Sequence, residues 1–343
     1  MTLASVWENA WYGKARWVYL LAPVAWLFRV LARRRRVRLE RGAVAFDVPV
    51  VVVGNISVGG TGKTPLLIAL VQRLQEAGHK PGVVSRGYGG KAPGYPLMVS
   101  PDTPVTHCGD EPLTIARATR CPVCVGPDRV DATQVLRQKG CDIVLSDDGL
   151  QHYRLARDLE IAVVDGARAF GNGWCLPVGP LREPVERLNE VDWVVVNGSG
   201  DKVRQQAPTL RTTQYAMTVT PDVWHRVSDD ARASLTHFAP QTPVHAVAGI
   251  GNPDRFFATL KSLGLEPIPH RFADHHHYRP GELVFQPAFP VVMTAKDAVK
   301  CQAFAQADWW YLSVSATLPE AFWNDFLKRI DALKSTPEAN SIP

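Results

Sequence analysis

The feature that most constrains the fold is a run of sixteen residues at positions 50–65, VVVVGNISVGGTGKTP. Four consecutive valines are typical of a short strand that is buried on both faces of a sheet. A glycine-rich loop follows them, and Pro65 with the apolar residues after it predicts the first turns of a helix. A strand, a glycine loop, Gly-Lys-Thr and a helix in this order predict a phosphate-binding loop in a parallel α/β sheet.

Each part of this loop suits a nucleoside triphosphate such as ATP. The glycines let successive backbone amides point at one centre, where the helix N-terminus adds partial positive charge. Lys63 is expected to reach the β- and γ-phosphates, and the hydroxyl of Thr64 is expected to bind Mg²⁺. One position departs from the usual pattern, since Ser57 stands where a glycine is expected. The predicted ATP-binding residues are Ser57, Val58, Gly59, Gly60, Thr61, Gly62, Lys63 and Thr64.

Two neighbouring aspartates are the best partners for this loop. Asp147 and Asp148 directly follow the apolar run at 143–145 and its serine, so they are expected at the end of a strand. Mg²⁺ prefers carboxylate oxygens, bound directly or through water. We therefore expect one of the two aspartates to hold the metal, and the sequence does not decide which one. The alternative is a pair of aspartates that caps a turn.

Composition excludes several broad classes of protein. Of the 343 residues, 46% are hydrophobic and 21% are charged, which is typical of a globular chain with room for two domains. The net charge of +5 is concentrated in arginines between positions 29 and 41, so nucleic-acid binding by the rest of the chain is not expected. The six cysteines suggest no disulfide framework, and the Cys121–Cys124 pair lacks the second pair of a zinc site. Reduced, buried thiols are expected.

The N-terminal region has the composition of a membrane anchor. Residues 17–28 carry no charge and are rich in aromatic side chains, but a membrane span needs about 20 apolar residues. Tryptophan and tyrosine favour the lipid interface, and the arginines that follow would attract anionic headgroups. We therefore predict an interfacial anchor on the cytoplasmic face of the membrane. The alternative is an amphipathic helix that packs on the domain.

The remaining pattern predicts two α/β domains. Several short apolar runs end in polar residues and alternate with helical segments, as in a P-loop NTPase-like, doubly wound and mostly parallel sheet. Around 215–220 the pattern changes to strict alternation, which predicts an antiparallel linker strand before a smaller unit. The predicted divisions are a membrane-anchoring helix at 1–40, a P-loop core at 41–214, a smaller C-terminal α/β domain at 215–334 and a disordered tail at 335–343.

Three consecutive histidines at 275–277 fall in a predicted loop. A metal site is one interpretation, although nearby partners at ligand spacing are missing. A structural run of loop histidines is a second interpretation. General acid–base chemistry, with one histidine paired to a distant carboxylate, is the third.

Six motifs in the chain resemble those of one enzyme family. They are GNISVGGTGKTP at 54–65, SRGYG at 85–89, GDEP at 109–112, DDGLQH at 147–152, GPLREP at 179–184 and DHH at 274–276. Together they resemble the tetraacyldisaccharide 4′-kinase family, the membrane-bound kinases of lipid A biosynthesis in Gram-negative bacteria. The resemblance covers nearly the whole chain. A serine at position 57 is normal in that family.

The resemblance implies a reaction and roles for individual residues. The γ-phosphoryl group of ATP would pass to the 4′-hydroxyl of a tetraacyl glucosamine disaccharide 1-phosphate, which gives lipid IVA. An Asp–His pair is implied at Asp110 and His275, with Asp110 taking the hydroxyl proton and His276 as the alternative histidine. Lys63 would act with this pair in catalysis. The residues expected to contact the sugar head group or phosphates are Arg86, Glu111, Arg129, Gln151 and His152.

The same resemblance implies a location. A substrate with four acyl chains stays in the bilayer, so the enzyme is expected at the cytoplasmic face of the inner membrane, held by its N-terminal helix. No protein partner is expected to be required.

A different class of protein competes with the kinase interpretation. Membrane-associated nucleotide-switch ATPases that act on protein partners carry an extra lysine just before the paired glycines of the loop. Here that position is Val58, which argues against such a switch.

Overall fold

A computed structural model describes residues 3–13 and 15–335 of the chain. The predicted disordered tail at 335–343 lies outside the described residues, apart from Ser335, which ends the last helix. All six cysteines are free and buried, as the sequence predicts.

The described residues contain thirteen strands and ten α-helices. The strands are β1 (Val50–Gly54), β2 (Pro81–Ser85), β3 (Leu97–Val99), β4 (Val123–Val125), β5 (Ile143–Asp147), β6 (Leu159–Asp165), β7 (Trp193–Asn197), β8 (Gln214–Arg226), β9 (Arg232–Ala233), β10 (Pro243–Ala248), β11 (Glu266–Arg271), β12 (Val291–Thr294) and β13 (Trp309–Thr317). The helices are α1 (Leu3–Tyr12), α2 (Ala22–Glu40), α3 (Lys63–Glu76), α4 (Val105–Cys108), α5 (Asp110–Thr119), α6 (Arg129–Gln138), α7 (Asp201–Gln206), α8 (Pro253–Ser262), α9 (Ala295–Cys301) and α10 (Glu320–Ser335).

One continuous sheet runs through the molecule in the order β11-β10-β12-β13-β8-β7-β6-β1-β5-β2-β4-β3, and β9 pairs with β8. From β7 to β4 all neighbours are parallel, and only the short edge strand β3 is antiparallel to β4. The predicted doubly wound, mostly parallel α/β sheet with a second, smaller α/β unit is therefore confirmed.

The four valines of β1 explain why this strand lies at the centre. Val51 and Val53 belong to the apolar core that includes α3 and α5, whereas Val50 and Val52 belong to the core on the opposite face with α6. All four side chains are buried. Because alternate residues of a strand point to opposite faces, a continuous apolar run fits a strand that is covered on both sides.

The strand β8 joins the two parts of the sheet. Its first residues pair in parallel with β7, and from Thr218 onward it pairs antiparallel with β13. The predicted antiparallel linker strand is thus correct for its second part and wrong for residues 214–217. The alternation of polar and apolar residues shows a half-exposed strand, but it carries no information on the direction of the neighbour.

The last helix returns to the first half of the molecule. Phe322, Phe326 and Ile330 of α10 are fully buried in the same core as Val51 and α3. Strands β10, β12 and β13 of the second unit enclose separate cores with α8 and α9. The C-terminal helix therefore completes the core around the phosphate loop.

The N-terminal helices expose large apolar side chains. Leu20 is 83% exposed and Trp26 is 67% exposed, whereas Phe28 packs against the core beside β1. No single helix of the described residues is long and apolar enough to cross a membrane. The segments Val6–Tyr12 and Trp17–Glu40, which meet at a bend of 95°, pass that test together on length and composition alone.

Candidate active site

The phosphate loop lies where the sequence predicts it, between the end of β1 and the first turn of α3. Two of its glycines have left-handed backbone conformations, with φ of +104° at Gly59 and +96° at Gly62. A Cβ atom on Gly62 would lie 2.4 Å from Nδ2 of Asn197, so this position has no room for a side chain. Glycine is required here for both conformation and space.

Polar contacts hold this loop from two sides. The backbone N–H of Val58 donates to the carbonyl of Pro180 at 2.8 Å, and the N–H of Arg182 donates to the carbonyl of Ile56 at 2.7 Å. On the other side, Nδ2 of Asn197 donates to the carbonyl of Thr61 at 3.0 Å. These bonds hold the loop through the backbone groups of Ile56, Val58 and Thr61.

Asp148 already has two cationic partners. Nζ of Lys63 lies 3.3 Å from its Oδ1, and Nη1 of Arg182 lies 2.9 Å from its Oδ2. Burial alone would raise the pKa of Asp148, but the charges of Lys63 and Arg182 bring it well below the usual range. The charge of this carboxylate is therefore balanced within the protein.

Asp147 is in the opposite situation. It is fully buried, its Oδ2 accepts a hydrogen bond from the hydroxyl of Ser85 at 3.1 Å, and its Oδ1 has no hydrogen-bond partner. Burial and the nearby charges of Glu111 and Asp148 raise its pKa to about 7. A buried carboxylate oxygen without a partner fits a cation ligand, because a cation would supply the missing partner and lower that pKa.

The chain alone does not complete a metal shell. Among the residues that the structure describes, no three His, Cys, Asp or Glu side chains gather around one point. The buried Thr64 and Asp147 would therefore have to share a cation with oxygens of a bound ligand. Such partial shells are typical of Mg²⁺ sites that bind phosphates.

The predicted Asp–His contact is present across the cleft between the two halves. Nδ1 of His275 lies 2.9 Å from Oδ2 and 3.0 Å from Oδ1 of Asp110, which begins α5. His276 turns away and bonds Glu282 at 3.1 Å. The structure thus places His275 against Asp110 and separates the rings of the histidine run.

The two members of this pair have opposite pKa shifts. Burial raises the pKa of Asp110, but the hydrogen bond of His275 and the charges of Lys296, His275 and Lys300 outweigh it, so the pKa lies below the usual value. The hydrogen bond to Asp110 raises the pKa of His275 above 6.5. Asp110 is therefore ionised at neutral pH, and the Nδ1 nitrogen of His275 donates the hydrogen bond.

The pair is held in place by its surroundings. His275 has a left-handed backbone with φ of +59°, and its ring lies 4.9 Å from the ring of Tyr88 between centroids. Beside it, Lys296 of α9 forms an ion pair with Glu111 of α5. His275 lines the cleft, whereas only 4% of Asp110 is exposed. A non-glycine residue in this conformation is strained, and such strain is common at functional sites.

The other predicted contact residues fall into two groups. Arg86 is exposed on the cleft wall and Glu111 pairs with Lys296. In contrast, Nη2 of Arg129 donates to the carbonyls of Asp147 and Asp148, at 2.8 and 3.0 Å. The backbone N–H of Arg129 donates to Nε2 of His152 at 3.2 Å. Gln151 bonds the carbonyl of Asn55 at 3.1 Å. The second group therefore connects the loops of the site.

Several residues of the site were not predicted from the sequence. Arg182 lies in the GPLREP motif, which contributes to the family resemblance but predicts no role for the arginine. The sequence indicates Asn197 only as the last residue of a strand. In the structure its side-chain Oδ1 also accepts a hydrogen bond from Nη2 of Arg255 at 2.8 Å. Gly251 of the second half approaches the loop so closely that a Cβ there would lie 3.0 Å from the N of Gly60. These contacts come from different parts of the chain and have no local pattern.

Together these groups line one cleft of about 1990 Å³ between the two halves of the molecule. Backbone amides and Lys63 at one wall suit phosphate oxygens, and Asp147 suits a divalent cation. His275, which also lines the cleft, forms with Asp110 a pair that suits removal of a proton from an acceptor group. Chemically, the arrangement is suited to phosphoryl transfer from a nucleotide to a hydroxyl group.

Comparison with known proteins agrees with this geometry. Residues 17–331 match the family model described as Tetraacyldisaccharide-1-P 4′-kinase. The chain is 50% identical over 340 residues to a tetraacyldisaccharide 4′-kinase of Aeromonas salmonicida, covering 97% of this chain and 99% of the relative. It is also 50% identical over 331 residues to one of Azotobacter vinelandii, covering 95% and 97%. A crystal structure of LpxK from Aquifex aeolicus in complex with ATP is similar, with a TM-score of 0.77 at 25% identity, covering 92% of this chain and 99% of that chain.

Proposed function

This chain belongs to the tetraacyldisaccharide-1-P 4′-kinase family, and we propose that it transfers the γ-phosphoryl group of ATP to the 4′-hydroxyl of a tetraacyl glucosamine disaccharide 1-phosphate. The product is lipid IVA, an intermediate of lipid A. One observation supports this proposal: His275, which contacts the buried Asp110 through Nδ1, lines the same cleft as the phosphate loop. A switch ATPase has no need of a proton acceptor for an alcohol at that place.

The phosphate side of the reaction uses groups that are already in position. Backbone amides of the loop and Nζ of Lys63 bind the phosphates of ATP and balance charge on the transferred group. Lys63 lies beside Asp148, which Arg182 also pairs with, so the position of its ammonium group is set by the protein. Arg182 pairs with the second oxygen of the same carboxylate, at 2.9 Å.

Mg²⁺ is proposed as the metal of this site. Thr64 and Asp147 would hold it, and the ion would neutralise charge that develops on the β- and γ-phosphate oxygens. The unpaired Oδ1 of Asp147 supports this role, since it is buried and lacks any other partner. Asp148 is less suited to it because Lys63 and Arg182 already occupy its oxygens.

The proton side uses the Asp110–His275 pair. His275 lines the cleft, and Asp110 lies behind it with both carboxylate oxygens within 3.0 Å of Nδ1. Because the two groups share a hydrogen bond, the proton taken from the 4′-hydroxyl is gained by the pair as a unit. This extends the expected role of Asp110 as base to both residues.

Label transfer tests the function directly. The full-length protein is incubated with γ-labelled ATP, Mg²⁺ and the purified tetraacyl disaccharide 1-phosphate, and the lipid and aqueous phases are counted separately. We expect the label in the lipid, in an amount that depends on the disaccharide. Label released only as inorganic phosphate would instead indicate a nucleotide-switch ATPase.

We also propose that the N-terminal helices hold the enzyme on the cytoplasmic face of the inner membrane. Exposed Leu20 and Trp26 support apolar insertion. Exposed arginines at 33, 34 and 38 support attraction to anionic lipid, each contributing about 1 kcal/mol near a charged surface. Arg36 does not share this role, because its guanidinium pairs with Glu190 at 2.6 Å and fastens α2 to the core.

Vesicle binding tests this location. Replacing Arg33, Arg34 and Arg38 with serine should weaken binding to anionic vesicles and reduce its salt dependence. Replacing Lys139, Lys261 and Lys328, which are exposed elsewhere, removes the same charge and serves as the control. Equal binding by both triple variants would contradict an electrostatic contribution from α2.

A further inference from the structure

A buried lysine lies behind the Asp–His pair. Nζ of Lys300, on α9, is 2.8 Å from Oδ1 of Asp297 and 3.6 Å from Oδ2 of Asp110. It also lies 5.1 Å from the centroid of the Tyr278 ring. Only 3% of its side chain is exposed. A buried ammonium group is costly unless it is paired, so its position beside Asp110 calls for an explanation.

Asp297 fixes the position of this ammonium group. Asp297 is fully buried and accepts hydrogen bonds from the hydroxyl of Tyr278 at 2.9 Å, the hydroxyl of Thr294 at 2.7 Å and the N–H of Gly249 at 3.1 Å. With three donors the carboxylate has one orientation. Lys300 is therefore held at a fixed point, from which it faces Asp110.

The charges around Asp110 show what Lys300 supplies. Glu111 is paired with Lys296, and Asp297 is paired with Lys300. Asp274 lies at the exposed rim, 3.8 Å from His275. Without the ammonium group of Lys300, Lys296 would be left to face the three carboxylates of Asp110, Glu111 and Asp297. Desolvation and like charge would then favour a proton on Asp110 or on the imidazole.

We infer that Lys300 is a positioning residue of the phosphoryl transfer: its ammonium group, anchored on Asp297, keeps Asp110 ionised and leaves the Asp110–His275 pair free to accept the hydroxyl proton. This inference rests on the proposed function and goes beyond it, because Lys300 acts only through Asp110. The lowered pKa of Asp110 agrees with it, because the charge of Lys300 contributes to that shift after His275 and Lys296. A lysine that served only the fold would stabilise α9 without influencing the pair.

The pH dependence of turnover separates these two roles. Lys300→Met removes the charge with little change in volume, and Lys300→Arg retains the charge. Both full-length variants are assayed with ATP and the disaccharide lipid between about pH 6 and pH 9. For the methionine variant we expect the acid limb of kcat to move upward by about one pH unit, since an opposite charge within ~4–6 Å commonly lowers a carboxyl pKa by this amount.

In rates, this means roughly a tenfold loss at the acid end that shrinks toward the alkaline end. The arginine variant should keep the wild-type profile, and the ATP Kd from calorimetry should be unchanged in both. Lys261→Met, on the exposed face of α8, is the matched control and should behave as wild type.

Two results would overturn the inference. One is a methionine variant whose loss is the same at every pH, and the other is a variant with an unchanged profile. If the methionine variant does not fold, Lys300→Gln takes its place, because the glutamine amide can still bond Asp297 but carries no charge. The acid limb of its kcat profile should move upward by the same amount. Failure of wild type and Lys261→Met to label the lipid at all would contradict the proposed function instead.

Discussion

The phosphate loop and the Asp110–His275 pair belong to one cleft but are built in opposite ways. The loop is made within sixteen consecutive residues, and its strand, turn and helix follow one another in the chain. The pair joins residues that are 165 positions apart and comes from both halves of the molecule. Local sequence therefore determines the phosphate loop, whereas the Asp110–His275 contact exists only when the two halves pack together.

The largest effect is expected from the loop. Lys63→Ala removes the ammonium group that faces both Asp148 and the expected phosphates, so transfer should fall by about 10³-fold or more. The fold should remain, because the loop is held by Val58, Arg182 and Asn197. The check is the rate of lipid labelling together with the thermal unfolding midpoint. Near-normal turnover would mean that the loop is not the phosphate site.

The pair gives the next largest effect and a different signature. Asp110→Asn and His275→Asn should each lower kcat by about 10²–10³-fold, because proton transfer is lost while the phosphate site is intact. The ATP Kd from calorimetry should stay close to wild type. The double variant should be hardly slower than either single variant, since the two residues act as a unit. Loss of ATP binding would place Asp110 in the metal shell instead.

Asp147 lies near charged groups from both parts of the site, Glu111 and Lys63. Its replacement should have opposite effects on activity and stability. Asp147→Asn removes a buried carboxylate whose Oδ1 has no partner, so the nucleotide-free protein should gain about 1 kcal/mol in its free energy of unfolding. Transfer should fall by about 10²-fold, and the Mg²⁺ concentration needed for half-maximal rate should rise. Denaturant unfolding and Mg²⁺ titration measure the two effects. A variant that is less stable and binds Mg²⁺ normally would contradict this role.

The smallest effect concerns pH and stability. The raised pKa of His275 stabilises the fold below about pH 6.5, and this contribution is lost as pH rises through the folded-state pKa. The lowered pKa of Asp110 stabilises it above about pH 3.9, and that contribution is lost as pH falls through the folded-state pKa. The Tm difference between wild type and His275→Asn should therefore be largest between these limits.

At the upper of these two pH limits, turnover should increase with pH, because the Asp110–His275 pair must be unprotonated to accept a proton. Activity should thus rise with pH where the stabilising contribution of His275 declines. A Tm difference that is constant across the range would show that the hydrogen bond does not depend on these charges.

The same comparison explains what the sequence could predict. The loop, the strand before Asp147 and the mostly parallel sheet were predictable because each depends on residues close together in the chain. Asn197 and Lys300 were not, because their partners, Thr61 and Asp110, lie far away in sequence. The family resemblance supplied the Asp–His pair, but only the structure places His275 against Asp110 and turns His276 toward Glu282.

The roles of basic and polar residues were harder to predict than their positions. Arg129 was expected to contact phosphates or sugar, yet its guanidinium donates to the carbonyls of Asp147 and Asp148. A guanidinium group can donate to a backbone carbonyl as well as to a phosphate, so residue type alone does not decide between them. The parallel pairing of residues 214–217 of β8 was missed for a similar reason, because alternation describes burial and not the neighbouring strand.

The return of α10 to the first core has a consequence for synthesis of the protein. Val51 and α3, which flank the phosphate loop, are translated well before Phe322, Phe326 and Ile330, which complete their packing and follow both halves of the sheet in the chain. While the ribosome elongates the chain, the apolar side chains that α10 will cover remain open to water or to chaperones. The kinase can therefore reach its final folded form only after α10 has left the ribosomal exit tunnel.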